Sequence, residues 1–402
     1  MLTDISGQKV LVRVDFNVPI NADHQITDDT RIQKALPTLK QLLAGDAAII
    51  LMSHLGRPQK KRLENGEINV PKFTLKQVVP HLSQLLGVDV KFANDCGGDQ
   101  SILKARDLKP GEVLLLENTR FDAGEAKGDL DFAAKLAALG DRYVNDAFGT
   151  AHRQHSSTAT IAQFFKPEQR SFGLLMETEI SNAKAILNSP KRPCTAIFGG
   201  AKVSDKIKLI ERFINFADNI VIGGGMAYTF VKAQGGEIGN SLCEDSHLDL
   251  ARDLIAKAKE YDVNLIIPED SVIADAFAPD ANTKIVPTAE IPAGWMGLDV
   301  GPKSIEKINK AILSAQSIIW NGPLGVFEME AFAKGTMTVA NTVAEASEKG
   351  AFSLIGGGDS VSAINASGQA DKVSFISTGG GAMLEFLEGK QLPGIVAIEQ
   401  AD

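Results

Sequence analysis

The chain has 402 residues, too many for one typical core, so the length predicts two domains. An apolar content of 44%, a charged content of 23% and a net charge of −9 describe an ordinary globular protein and exclude nucleic acid or anionic membrane as the main partner. That charge is uneven: residues 1–170 hold 22 Lys+Arg against 21 Asp+Glu, which leaves 19 against 29 for residues 171–402, so a small anionic ligand is expected in the first part. Five of the six histidines lie there too. Cys96, Cys194 and Cys243 are odd in number and lack CxxC spacing, which predicts reduced thiols and neither zinc nor disulfides. The opening MLTDISGQKV has no basic-then-apolar signal pattern, and no apolar run approaches the ~18 residues of a membrane helix, so a cytoplasmic protein is expected.

In chain order, residues 9–14 (KVLVRV) read as a first strand ending at Asp15 and Asn17, and Asp28, Asp29 and Thr30 offer N-cap chemistry for a helix to about Leu43. A second buried strand at 47–52 runs into the loop SHLGRP, and the polar stretch 59–69 reads as a surface loop. A helix near 74–86 and strands at 88–92 and 113–116 follow, the last ending in ENTRF. A helix at 132–139 and a strand at 142–144 lead into NDAFGTAHRQHSST. Apolar strands alternating with helices imply βαβ units and a mainly parallel sheet, whose ligands sit beyond the carboxyl ends of the strands. Asp15 and Asn17, His54 and Arg57, Arg120, and His152 and Arg153 all fall in loops directly after strands. Arg31, Arg57, Arg120 and Arg153 together suit a small ligand carrying carboxylate and phosphate, although each alone equally fits a surface ion pair.

The long helical pattern of 171–187 reads as the connector between domains. Beyond it glycine turns follow apolar strands at Gly199–Gly200, Gly223–Gly225, Gly356–Gly358 and Gly379–Gly381. Four such turns suggest backbone N–H clusters around one ligand, while tight turns at sheet ends explain some of them equally well. In CTAIFGGAKVSDKIKLIERF (194–213) a buried strand, a Gly-Gly turn and an amphipathic helix from about Lys202 place Lys202 and Lys206 on one face of a helix N-terminus, suited to phosphate or simply to solvent. IGGGDS offers Asp359 and Ser360 either to Mg²⁺-bound phosphate or as a helix N-cap. WNGPLGVFE offers Glu328 to a ribose hydroxyl or forms a structural loop. GxxxxGK[ST], GxSxG, HRD with DFG, and a complete GxGxxG are all absent, which excludes P-loop and protein-kinase phosphotransferases and disfavours a Rossmann-type dehydrogenase.

Ten motifs in order (VRVDFNVP, DDTRI, SHLGRP, LLENTRF, NDAFGTAHR, GGAKVSDK, GGGMAYTF, WNGPLGVFE, GGGDS and STGGGAMLEFLEGK) resemble the 3-phosphoglycerate kinase family across almost the whole chain. The resemblance implies an α/β fold of two similar Rossmann-like domains with mainly parallel sheets, joined by a long helix, with a cleft and a hinge between them. Residues 1–170 would bind 3-phosphoglycerate or 1,3-bisphosphoglycerate and receive the tail from about 390 to 402. Residues 171–389, starting with the connecting helix, would bind MgATP or MgADP. Carried over by motif, Asp15, Phe16, Asn17, Arg31, His54, Leu55, Gly56, Arg57, Arg120 and Arg153 look like the phosphoglycerate site. Gly199, Lys202, Lys206, Gly223, Asn321, Glu328, Gly357, Gly358, Asp359 and Ser360 look like the nucleotide site, with Asp359 nearest the metal. Arg31, Lys202, Gly379 and Gly380 would stabilise the phosphoryl group in transfer. The family also implies a monomer. A carboxylate acceptor is already ionised at neutral pH, so the expected mechanism needs positioning and charge but no general base. A noncatalytic metabolite-binding protein of the same fold is the remaining alternative, one that intact Arg31 and Lys202 disfavour.

Overall fold

The computed structural model describes residues 4–400. The chain divides into two units: one runs to Ser181 and takes up the chain again from Lys390, and the other is Asn182–Gly389. The first is built on six parallel strands in the order Val90–Phe92, Val113–Leu115, Ala48–Met52, Lys9–Val14, Arg142–Asp146, Arg170–Phe172. The central strands are buried on both faces, which is why they read as unbroken apolar runs rather than alternating ones. Val10, Val12 and Val14 pack with Ile49 and Leu51 against Ile32, Leu36 and Leu39 of the helix Thr30–Ala44. Leu11, Ile50 and Leu114 pack on the other face against Phe132 and Leu136 of the helix Leu130–Ala137. Strand order reverses at Lys9–Val14, which has Ala48–Met52 on one side and Arg142–Asp146 on the other. Such a switch point leaves a crevice at the carboxyl ends.

Asp28 rather than Asp29 supports the start of the first helix, its Oδ1 accepting from the Thr30 N–H at 2.9 Å. The connecting helix spans Leu174–Asn188, later than the expected 171. Residues 170–172 instead extend the sheet, with Tyr143 opposite Arg170. The unit boundary falls inside this helix. Late in the chain the helix Pro393–Glu399 seats on the first unit: the Gly394 N–H donates to the Ala151 carbonyl (2.8 Å) and the Gly394 carbonyl accepts from Asn145 Nδ2 (3.2 Å).

The second unit has its own six parallel strands, in the order Asn264–Ile266, Asn219–Ile222, Cys194–Phe198, Ser317–Asn321, Phe352–Ile355, Phe375–Ile376. Its switch point lies between Cys194–Phe198 and Ser317–Asn321. The sequence reading did not anticipate a three-stranded antiparallel sheet of Thr283–Pro287, Asp270–Ala274 and Met296–Val300. Thr283–Pro287 is exposed almost throughout, so it lacks the apolar run that marks the parallel strands.

Candidate active site

In the first unit, loops from four strand ends carry the polar groups. Asp15 follows the central strand, and its Oδ1 accepts from the Asn17 N–H at 3.2 Å. Asn17 then ties two loops together, since its Oδ1 accepts from the Gly56 N–H (2.8 Å) and its carbonyl from Arg31 (2.8 Å). Arg31 also lies 3.5 Å from Asp15, and with Asn17 and Asp28 it lines a hollow of about 390 Å³. Arg57, Arg120, Arg153 and His155, from three further loops, line a cleft of about 240 Å³. Arg120 is anchored on the Gly56 carbonyl at 2.8 Å. Burial, with the Arg13 charge next, lowers its pKa to about 10, so it stays cationic at neutral pH. Burial and the neighbouring arginines hold His54 well below the usual histidine range and bring His155 to about 4, so both rings are neutral at pH 7. Two neutral imidazoles thus stand among fixed cations at this surface.

Phe16 and Leu55 do not share that surface: both side chains pack in the apolar core, and Leu55 borders a separate hollow of about 590 Å³ with Asn17 and Gly56. Sequence reasoning also missed groups that hold the site together. Arg13 is fully buried between Ser157 and His54, Glu125 is fully buried against Ser157, and the buried Asn118 donates to the Leu55 and Phe73 carbonyls. A charged residue inside the apolar run VLVRV was the one available signal for Arg13.

In the second unit a cleft of about 540 Å³ opens at the switch point, lined by Gly199, Gly200, Lys202, Asp205, Lys206, Asn321, Gly357, Gly358, Asp359, Ser360, Gly380 and Gly381 among others. The two lysines do not share a helix face as expected. Lys202 is extended (φ −126°, ψ 133°), a 3₁₀ turn covers Val203–Asp205, and the α-helix begins at Ile207. The amphipathic pattern belongs to IKLIERFI alone, and the two ammonium groups reach one cleft from a loop instead. Lys206 donates to Asn321 Oδ1, while Asn321 Nδ2 donates to the Gly356 carbonyl at 3.0 Å. Burial lowers the Lys206 pKa, and Asp205, Asp359 and Glu388 oppose that shift.

The helix Gly358–Ala366 is capped by Gly357 at φ +90°, a conformation open to glycine, and neither Asp359 nor Ser360 caps it. Asp359 is exposed in the cleft, whereas the buried Ser360 hydroxyl accepts from the Gly322 N–H at 2.5 Å and so braces the neighbouring loop. Gly223 is a packing glycine, where a Cβ would lie 2.1 Å from Leu324. The Gly379 N–H is committed to Ser377 Oγ (3.1 Å), so Gly380 and Gly381 line the cleft in its place. Glu328 is exposed on the loop after Asn321 and does not line the cleft. Among the described residues no three His, Cys, Asp or Glu side chains cluster as a metal cage. Two carboxylates at the cleft, Asp205 and Asp359, beside glycine N–H groups fit Mg²⁺ held largely by nucleotide phosphates, the usual habit of that ion.

Two parallel-sheet units, one with an arginine-lined cleft and the other with a lysine- and glycine-lined cleft at its strand ends, are of a kind that binds anionic ligands. A family model described as phosphoglycerate kinase matches residues 2–390. The chain belongs to the phosphoglycerate kinase family. It is 51% identical to a phosphoglycerate kinase of Porphyromonas gingivalis, covering 98% of each chain. It is 53% identical to the cytosolic phosphoglycerate kinase 3 of Arabidopsis thaliana, covering 99% of this chain and 97% of that one. The solved phosphoglycerate kinase of Coxiella burnetii superposes with a TM-score of 0.87 at 38% identity, over 98% of this chain and 97% of the other.

Proposed function

We propose that this enzyme reversibly transfers a phosphoryl group between 1,3-bisphosphoglycerate and ADP, giving 3-phosphoglycerate and ATP. It is a glycolytic kinase whose acceptor is a carboxyl group. The first unit binds the phosphoglycerate, and the observation that carries this is the set of arginines, Arg57, Arg120 and Arg153, drawn from separate loops to one small cleft. Guanidinium groups from several directions recognise a carboxylate and a phosphate on one small molecule. The second unit binds the nucleotide, with Lys206, Asn321 and the glycine N–H groups around its phosphates. Asp359 would hold Mg²⁺, which when bound would neutralise phosphate charge.

Arg31 and Lys202 supply fixed positive charge to the phosphoryl oxygens in transfer, and the glycine N–H groups at Gly380 and Gly381 take up the remainder. The acceptor carboxylate arrives ionised, so no residue has to remove a proton. Formation of ADP from ATP in a coupled assay, strictly dependent on 3-phosphoglycerate, tests this reading. ADP formation unchanged by omitting 3-phosphoglycerate, or no turnover at all, contradicts it. We also propose a cytoplasmic monomer. Free Cys96, Cys194 and Cys243 suit a reducing compartment, and no described helix is long and apolar enough to cross a membrane.

A further inference from the structure

Arg13 plays no part in the ligand chemistry above, yet it is wholly buried on the central strand. Each of its three guanidinium nitrogens makes a polar contact. Nε donates to Ser157 Oγ at 2.8 Å, one terminal nitrogen donates to the Val14 carbonyl, and the other lies 3.2 Å from His54 Nδ1. Ser157 passes the charge on, its hydroxyl donating to Glu125 Oε1 at 2.6 Å and its N–H to Oε2 at 3.0 Å. The buried cation thus has a buried counter-charge one hydroxyl away.

A guanidinium carries donors only, so the His54 nitrogen facing it must accept. A neutral ring that accepts at Nδ1 carries its proton on Nε2. Asp15 Oδ1, at 3.9 Å from Nδ1, is too far to reverse that assignment. The other ionisable groups acting on the ring are Arg31, Arg120 and His155, none of which favours an imidazolium. Nε2 has no protein partner, and it is not among the buried polar atoms left unpaired, so it keeps contact with solvent, on a ring close to Arg31 and Arg120 of the site.

We infer that Arg13 is a positioning residue that fixes His54 as a neutral Nε2–H donor to an anionic oxygen of the phosphoglycerate. This rests on reading the first unit as the phosphoglycerate site. Histidine in the permanent presence of a buried arginine is here a hydrogen-bond donor, neither base nor cation.

The test uses the full chain labelled with ¹⁵N-histidine, His54 being assigned by comparison with His54→Gln. The spectrum should show the neutral Nε2–H tautomer throughout about pH 5.5 to 8, without the titration near 6.5 of an ordinary histidine. An Nδ1–H tautomer, or protonation in that range, overturns the inference. Adding 3-phosphoglycerate should move the Nε2 signal. The expected tautomer with no such movement would instead refute His54 as a ligand contact, and with it the service Arg13 performs. Arg13→Lys, which cannot keep all three bonds, should mix the tautomers and raise KM for 3-phosphoglycerate at least about tenfold, the usual effect of losing a hydrogen bond to a charged group, with KM for ATP little changed. A variant with the wild-type tautomer and KM overturns the inference. If the variant does not fold, the wild-type spectrum decides.

Discussion

Lys206 shows how a single side chain is prepared for phosphate. It is drawn out of water beside Asn321, which disfavours its charge, while Asp205, Asp359 and Glu388 restore it. Nucleotide phosphates in that cleft would add to the restoring side. Lys206→Met should therefore raise KM for ATP by about 10- to 100-fold, the effect of losing a charge-assisted contact, and lower kcat by less. Initial rates at saturating 3-phosphoglycerate check this. The cations of the phosphoglycerate cleft lead to a second expectation. Arg120, with its pKa near 10, keeps its charge up to about pH 9, and His155, at about 4, has already lost its own. Hence kcat/KM for 3-phosphoglycerate should stay flat between about pH 7 and 9, where the substrate phosphate is also fully ionised. A steep limb in that range would reveal a required base.

Arg57, Arg120 and Arg153 were legible in the sequence because each follows an apolar strand, and topology sends such loops to one edge, whereas Arg31 stands in the first turn of the helix Thr30–Ala44. Arg13, Ser157 and Glu125 were not legible, because their network joins residues 144 and 32 positions apart and exists only once the sheet is assembled.

At the scale of elements, the parallel strands were readable as apolar runs, but their neighbours were less so. The two lysines are spaced like a helix face, yet a 3₁₀ turn intervenes because the apolar periodicity starts only at Ile207. The ends of Cys194–Phe198 and Ser317–Asn321 come so close that a Cβ on Gly199 would lie 2.0 Å from the Pro323 carbonyl oxygen. Gly199→Ala should then cost about 1–3 kcal/mol in denaturant unfolding, the usual range for overpacking, and should weaken nucleotide binding through the displaced turn.

Asp299 links two further elements. Its Oδ2 accepts from the Gly335 N–H at the start of the helix Lys334–Glu348 (2.8 Å), and Oδ1 accepts from the Val300 N–H (2.9 Å). Burial raises its pKa from 3.8 to about 7 against those two bonds. Between those values the folded state holds a proton that the unfolded chain has released. Asp299 thus contributes stability that is full below about pH 4 and is lost as pH rises through about 7. The buried histidines act with the opposite sign below about 6.5, so the comparison needs Asp299→Asn beside the wild type. The variant should lack a falling component of at most about 1.4 kcal/mol per pH unit between about pH 5 and 7. Parallel pH profiles for the two proteins would contradict the assignment.

For the whole molecule, sequence length and motif order already implied two α/β units, and the structure supplies two six-stranded parallel sheets. The antiparallel sheet around Asp270–Ala274 escaped notice because its outer strand carries exposed residues without an apolar run. Transfer of a phosphoryl group in open water would lose it to hydrolysis, so both substrates together should close the enzyme around them. Small-angle scattering should show a smaller radius of gyration with both substrates than with either alone, and no compaction would count against closure. Both units are asked to supply charge rather than proton transfer, and Lys202 is the most exposed test of that claim. The decisive measurement is kcat of Lys202→Ala at saturating ATP and 3-phosphoglycerate, set beside its nucleotide Kd. A fall of about 10²- to 10³-fold in kcat with Kd nearly unchanged is predicted; turnover comparable to wild type would contradict it.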